Sequence, residues 1–242
     1  MNAIEKKKVA AFLDLSNDFL GSGYRSAQKD YQFDDDALSQ SKLNGIDKKN
    51  IDSIENIAEE IKICKNCQLC ATRTNAVPGE GVSQPQVLVI GEGPGQDEDT
   101  SGRPFVGKAG QLLDKMLASI NLSRKTNCFI ANVVKCRPPS NRDPYPEETA
   151  ACADFLERQI AVLKPKFILI AGRISAQTLL KTTTSIGKLR GTFTELSSGN
   201  DVYPLLVTYH PAALLRNEEY KRPAWEDLKL LRSKIDSLNG EK

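Results

Sequence analysis

The cysteines of this chain are the residues best placed by type and spacing to do chemistry. There are six in 242 residues, and three fall in the pattern Cys64-x2-Cys67-x2-Cys70. A Cys-x2-Cys pair can give two thiolates to one centre, because a tight turn brings both sulfurs to the same side. Cys136 and Cys152 follow; they bracket RPPSNRDPYPEET and the start of a helix-like segment, so they can reach the first pair in space. Four thiolates satisfy either tetrahedral zinc or an iron–sulfur cluster. Cys70 leaves the choice of ligands open. Reduced, buried cysteines with no metal are the plainer reading, and the triple spacing argues against it. Cys128 lies among strand-forming residues and reads as core.

A second set of able residues follows short apolar runs. Gly91-Glu92-Gly93-Pro94-Gly95 follows the first, Asn132 to Cys136 close the second, and Ala-Gly-Arg ends the third. Tyr209-His210-Pro211 ends the fourth and holds the chain's only histidine. The glycine loop is a poor dinucleotide site. G-x-G-x-x-G breaks at Gln96, Pro94 sits inside, and Glu92, Asp97, Glu98 and Asp99 would repel a pyrophosphate. It suits a neutral polar ligand with a water nearby, or else a plain structural turn with solvated acids. Taken singly, His210, Phe105 and Asn132 have plain roles too, as a satisfied histidine, a core ring and a turn cap.

The elements that must position these residues can be read from periodicity. Residues 86–93, 128–136, 166–172 and 204–210 are nearly continuous in apolar side chains, as strands buried on both faces are. Helix-period segments lie between and around them, at 51–63, 107–120, 147–163, 173–181 and from Trp225 to about Leu238. Strands alternating with helices predict an α/β fold. The expected form is a three-layer α/β/α sandwich around a central, mostly parallel four-stranded sheet. In such sheets ligands bind beyond the carboxyl ends of the strands, where the odd residues cluster. Residues 1–20 could form an amphipathic helix, and 21–50 read as a linker or weakly ordered arm. The expected organisation is an extension over 1–55 and a folded domain over 56–242.

Composition narrows the class. Hydrophobic residues make up 40% and charged residues 26%, enough for a real core. No apolar run approaches a membrane span, and the N-terminus lacks a secretory signal pattern. A cytoplasmic protein with reduced thiols is expected. The net charge of +2 conceals −4 over residues 1–60 and +6 over the rest. A basic body fits a polyanion partner, although a charge of this size is also ordinary.

Together these pieces resemble the family 4 uracil-DNA glycosylases, the iron–sulfur branch of their superfamily. The matching stretches are C-x2-C-x2-C-x2-RT from Cys64, GEGPGQDED, GRPFVGKAGQLLD, ANVVKCRPPSNRDP, AGRISAQ, GKLRG and VTYHPAALLRN, in the family's order over about 64–235. The resemblance implies excision of uracil flipped out of single- or double-stranded DNA, leaving an abasic site. It implies that Asn132 pairs with the uracil edge, Phe105 stacks on the ring and His210 donates to O2, with a backbone N–H near Gly93 assisting. Glu92 and Glu98 are the carboxylates for holding water or stabilising sugar charge. Glu98 and Gly95 are also candidates for the wall that excludes thymine.

The resemblance further implies that Leu214 or Leu215 fills the vacated stack and Arg216 contacts phosphate. Lys108, Lys188 and Arg190 are lesser phosphate candidates. It implies a 4Fe–4S cluster on Cys64, Cys67, Cys136 and Cys152, with Cys70 a bystander, and a monomeric enzyme. The alternatives are a non-catalytic iron–sulfur DNA-binding or electron-transfer protein, and a relative that captures uracil-DNA covalently. The second needs a basic insertion and another histidine near GKLRG, which this sequence lacks.

Overall fold

Strands with no polar side must be covered on both faces, and the four apolar runs accordingly form the centre of a sheet. The computed structural model describes residues 52–240. They lie in one unit spanning 51–242. The strands are β1 (Glu80–Gly81), β2 (Val87–Gly91), β3 (Cys128–Asn132), β4 (Phe167–Ala171), β5 (Phe193–Ser198) and β6 (Asp201–Thr208). They are ordered β1-β3-β2-β4-β6-β5. β3, β2, β4 and β6 run parallel, while β1 and β5 are antiparallel edges.

The expected four strands are therefore the parallel centre of a six-stranded sheet. The edge strands carry no apolar run to announce them. β1 is two residues long, and β5 reads FTELSS with mostly exposed or half-exposed side chains. A turn at Gly199, where φ is 60°, folds β5 back on β6.

The helices are α1 (Ile54–Ile63), α2 (Gln96–Ser101), α3 (Lys108–Ala118), α4 (Pro146–Leu163), α5 (Arg173–Leu179), α6 (Ile186–Leu189), α7 (Pro211–Arg216) and α8 (Lys221–Gly240). α2, α6 and α7 are six, four and six residues long, too short to display a helix period. The expected helix over 1–20 and the linker over 21–50 lie outside the described residues. None of the helices described is long and apolar enough to cross a membrane.

Alternation along the strands makes the three layers. Leu88, Ile90, Ala131, Ile168, Ile170, Leu205 and Val207 point to α1 and α4, meeting Ile57, Ile61, Phe155 and Ile160. Val87, Val89, Ile130, Phe167, Leu169 and Leu206 point to α3 and α8, meeting Leu113, Leu117, Leu228 and Leu231. Each such Leu, Ile, Val or Phe contributes about 1.5–3 kcal/mol by leaving water. β2 comes first among the parallel strands yet sits between β3 and β4. The chain therefore reverses direction across it, and the crevice of the fold opens at its carboxyl end.

Arg190, expected to face phosphate, is turned inward. Its guanidinium donates to Asp227 Oδ2 and Oδ1 at 2.9 and 2.6 Å and to the Pro223 carbonyl at 2.6 Å. The Asp227 side chain is fully buried and that of Arg190 is 18% exposed. A buried carboxylate recruits the nearest cation, which is the physical reason Arg190 leaves the surface. Arg190→Ala should strand that carboxylate and destabilise the protein by about 3–5 kcal/mol in urea or thermal unfolding. A loss under about 0.5 kcal/mol, the usual surface value, would return Arg190 to the DNA-facing set.

Candidate active site and cysteine cavity

Register places the first site residue. Gly91 at the end of β2 pairs with Asn132 at the end of β3. A Cβ on Gly91 would lie 2.5 Å from both Asn132 Oδ1 and Phe105 Cζ, so only glycine lets these two side chains meet here. Asn132 is buried, and its Oδ1 is the one buried side-chain N or O atom among the described residues with no hydrogen-bond partner. Leaving such an acceptor unsatisfied costs about 1–3 kcal/mol. The β2 glycine that makes room for it is visible in the sequence as a glycine inside a strand, a sign of close approach.

Phe105 is held in a left-handed conformation, φ 52°, against its own preference. Three neighbours enforce this. Buried Arg124 donates to the carbonyls of Pro104 and Phe105 at 2.7 and 2.9 Å and is braced by Asp114. Gly110 in α3 has no Cβ; one would lie 2.0 Å from the Phe105 carbonyl. Glu98 in α2 accepts from the N–H groups of Val106 and Gly107 through Oε1, at 2.8 and 3.0 Å, and from Gly95 through Oε2 at 3.1 Å. Glu98 thus staples the glycine loop to the segment that presents Phe105. Periodicity gives Arg124 no signal, because its partners lie about twenty residues upstream.

His210 caps α7. Its Nδ1 accepts the Ala212 N–H at 3.2 Å, which leaves the ring proton on Nε2 as a donor. The ring lies 5.5 Å from that of Phe105, centroid to centroid, tilted by 35°. Gly172 makes room behind it: its φ is +110°, and a Cβ would come 3.1 Å from His210 Cβ. Burial, helped by Arg216, pulls the His210 pKa down to about 4 against the opposing pull of Glu98. The imidazole is neutral at pH 7.

Glu92 follows Gly91 directly. Burial and then the negative charge of Asp143 push its pKa up to about 7, with Arg173 opposing. The two carboxylates proposed for the chemistry therefore differ: Glu98 is bonded through both oxygens, and Glu92 is set by burial and charge. Gly93 is half-buried, with space for a Cβ limited by Val134 at 2.8 Å.

On the outward edge, Leu214 and Leu215 separate. Leu214 is 2% exposed and packs in the core beside α3, whereas Leu215 is 50% exposed. A side chain inside the core is not available as a wedge, so the expectation for Leu214 is corrected in favour of Leu215. A helix turn points adjacent residues about 100° apart, and the sequence LL does not say which faces out. Arg216 and Lys108 are exposed.

Cys64, Cys67, Cys70, Cys136 and Cys152 line one cavity with Arg73, Asn66, Lys135 and Phe155. All five are free thiols. They surround a space rather than a point: among the described residues no three His, Cys, Asp or Glu side chains are placed to hold a single metal ion. Arg73 donates to Cys136 Sγ at 2.9 Å and to the carbonyls of Lys62 and Cys64, both at 2.9 Å. The N–H groups of Asn66 and Lys135 reach Cys64 Sγ and Cys152 Sγ at 3.5 and 3.4 Å. Burial pushes the Cys136 thiol up to about 11, and Arg73 pulls the other way. Clustered sulfurs, three of which receive an N–H or guanidinium donor, are a donor set suited to an anionic, thiolate-held group. Cys128 lies apart, in the core.

The family model of the uracil DNA glycosylase superfamily matches residues 78–229. The chain is 41% identical over 196 residues to the type-4 uracil-DNA glycosylase of Archaeoglobus fulgidus, covering 79% of this chain and 96% of that protein. Identity is 44% over 186 residues to the type-4 enzyme of Sulfurisphaera tokodaii, with 75% and 84% covered. It is 42% over 185 residues to that of Thermotoga maritima, with 75% and 94% covered. Likeness of this extent, over the same strand ends that carry Asn132 and His210, makes the chain a member of the uracil-DNA glycosylase superfamily, in its type-4 group.

Proposed function

We propose that this chain hydrolyses the bond between uracil N1 and deoxyribose C1′ in DNA, releasing free uracil and leaving an abasic site. The observation that carries the reading is the orphaned Asn132 Oδ1, buried beside Gly91 and Phe105. A buried acceptor with no partner awaits a donor, and uracil N3–H supplies one. The Asn132 amide N–H2 then matches O4, and the Phe105 face stacks on the extruded ring.

Breaking the bond sends its electron pair to the base and builds positive charge on the sugar. His210 meets the negative charge: a neutral imidazole with its proton on Nε2 donates to O2 without having to lose a full charge. Water adds oxygen to C1′, and its proton ends on the released base. Glu92 is the carboxylate for orienting that water or facing the sugar cation, because Glu98 is committed to the backbone. Arg216 and Lys108 are the phosphate contacts, and Leu215 fills the gap left by the base.

Cys64, Cys67, Cys136 and Cys152 would hold a 4Fe–4S cluster, which supplies a structural tie between the chain before β1 and the loop after β3. The catalytic unit is residues 56–242 with Asp52 and Ser53, which brace α1 through Arg158 and by capping its first turn. An extension precedes it.

A uracil-containing oligonucleotide, treated with alkali after incubation, should be nicked by the protein, and Asn132→Ala should lower turnover by about 100-fold or more with little change in melting temperature. Equal loss of activity and stability would reduce Asn132 to a structural part. Glu92 is deprotonated only above about pH 7, so kcat/KM should fall as pH drops below that value, and Glu92→Gln should abolish that limb at the cost of rate. A limb that survives in Glu92→Gln assigns it to another group. Leu215→Ala should slow excision from duplex DNA more than from single strands while leaving stability within about 0.5 kcal/mol. Equal rates on both substrates would remove the wedge role.

A further inference from the structure

Among the described residues Lys135 is one of the largest side chains sealed from solvent, at 1% exposure. An ammonium in such a place costs several kcal/mol unless it is bonded, and an apolar residue of like volume would fill the space without that cost. Its bonds give a reason for its presence. Nζ donates to the main-chain carbonyl of Asn132 at 2.8 Å and to Gln159 Oε1 at 2.6 Å. Gln159 is itself 1% exposed, and its Nε2 donates to the Pro78 carbonyl at 2.8 Å. The backbone of Lys135 is fixed as well: its N–H points to Cys152 Sγ at 3.4 Å, and its carbonyl accepts from Val77 at 2.7 Å.

We infer that Lys135 is a positioning residue for Asn132, gripping the Asn132 carbonyl so that the amide is aimed into the base pocket, with Gln159 holding Lys135 in turn. The inference rests on the uracil-excising reading above. β3 ends at Asn132, and the grip falls on the carbonyl of its last residue. With the carbonyl fixed from one side and Gly91 leaving space on the other, the orphaned Oδ1 has one direction open. The same residue lines the cysteine cavity, next to Cys136 in the chain and with its N–H on Cys152 Sγ, so the wall of that cavity and the base-reading side chain share one buried anchor.

A double-mutant cycle tests this on the full chain as purified. Lys135→Met keeps the stem and removes the donors. It should lower kcat/KM on uracil-containing single strands by about 10–100-fold, the cost of misaimed contacts, and weaken product inhibition by free uracil in parallel. In an Asn132→Ala background the same change should lower activity by no more than about 2-fold, because there is no amide left to aim. Melting temperature, iron content per chain and affinity for abasic-site DNA should stay near the parent values. Gln159→Leu, whose hydrogen bonds go to Lys135 and Pro78, should show a smaller loss with the same dependence on Asn132, and it carries the cycle if Lys135→Met does not fold. Losses that multiply independently of Asn132, or the absence of any loss, would overturn the positioning role. A wild-type protein that excises no uracil would instead sink the reading beneath it.

Discussion

A buried acceptor with nothing to accept from is the constraint around which this molecule is organised. The Asn132 amide oxygen sits buried at the carboxyl end of a central strand, with no hydrogen-bond partner in the protein. Such an atom disfavours the folded state by about 1–3 kcal/mol, and it survives only where its surroundings leave it no alternative. Here they do so in three ways. Gly91 opens the space, the strained Phe105 closes the far side, and Lys135 holds the main chain. The two apolar layers of the sheet supply the stability that makes this local loss tolerable.

Electrostatics divide the site's charged residues by task. Two glutamates lie within one glycine-rich turn and its short helix, and similar sequence surroundings lead to different chemistry. Glu98 takes three backbone N–H groups and shapes the loop. Glu92 lacks that solvation, feels Asp143 and holds its proton up to about pH 7. His210 is driven the other way by burial and stays a neutral imidazole with its proton on Nε2. Environment assigns these roles more than residue type does.

The cysteine cavity and Asn132 are joined by the chain segment after β3. Arg73 joins the first cysteine arm to Cys136, and Lys135 joins the second to Asn132. Both cations satisfy backbone carbonyls and line the cysteine cavity, so an arm of the chain that precedes the sheet is tied to the strand end that carries Asn132. This makes the cysteine arrangement part of the site's rigidity.

The parallel strands, the helices that cover them and the grouping of odd residues at the strand ends were legible from sequence, because period and unbroken apolar runs are local properties set by a few neighbouring residues. The cysteine spacing and the motif order were legible for the same reason, and so were Phe105, Asn132 and His210 as candidates. The tertiary structure alone decided which of Leu214 and Leu215 faces outward, that Arg190 belongs to Asp227, that Glu98 is a staple, and that Arg124 and Lys135 support Phe105 and Asn132. Edge strands such as Phe193–Ser198 belong with these, since their pairing comes from a partner and not from their own pattern. Direction of a side chain and choice of a charge partner depend on residues far away in sequence, and burial, which sets both, exists only once the chain is folded.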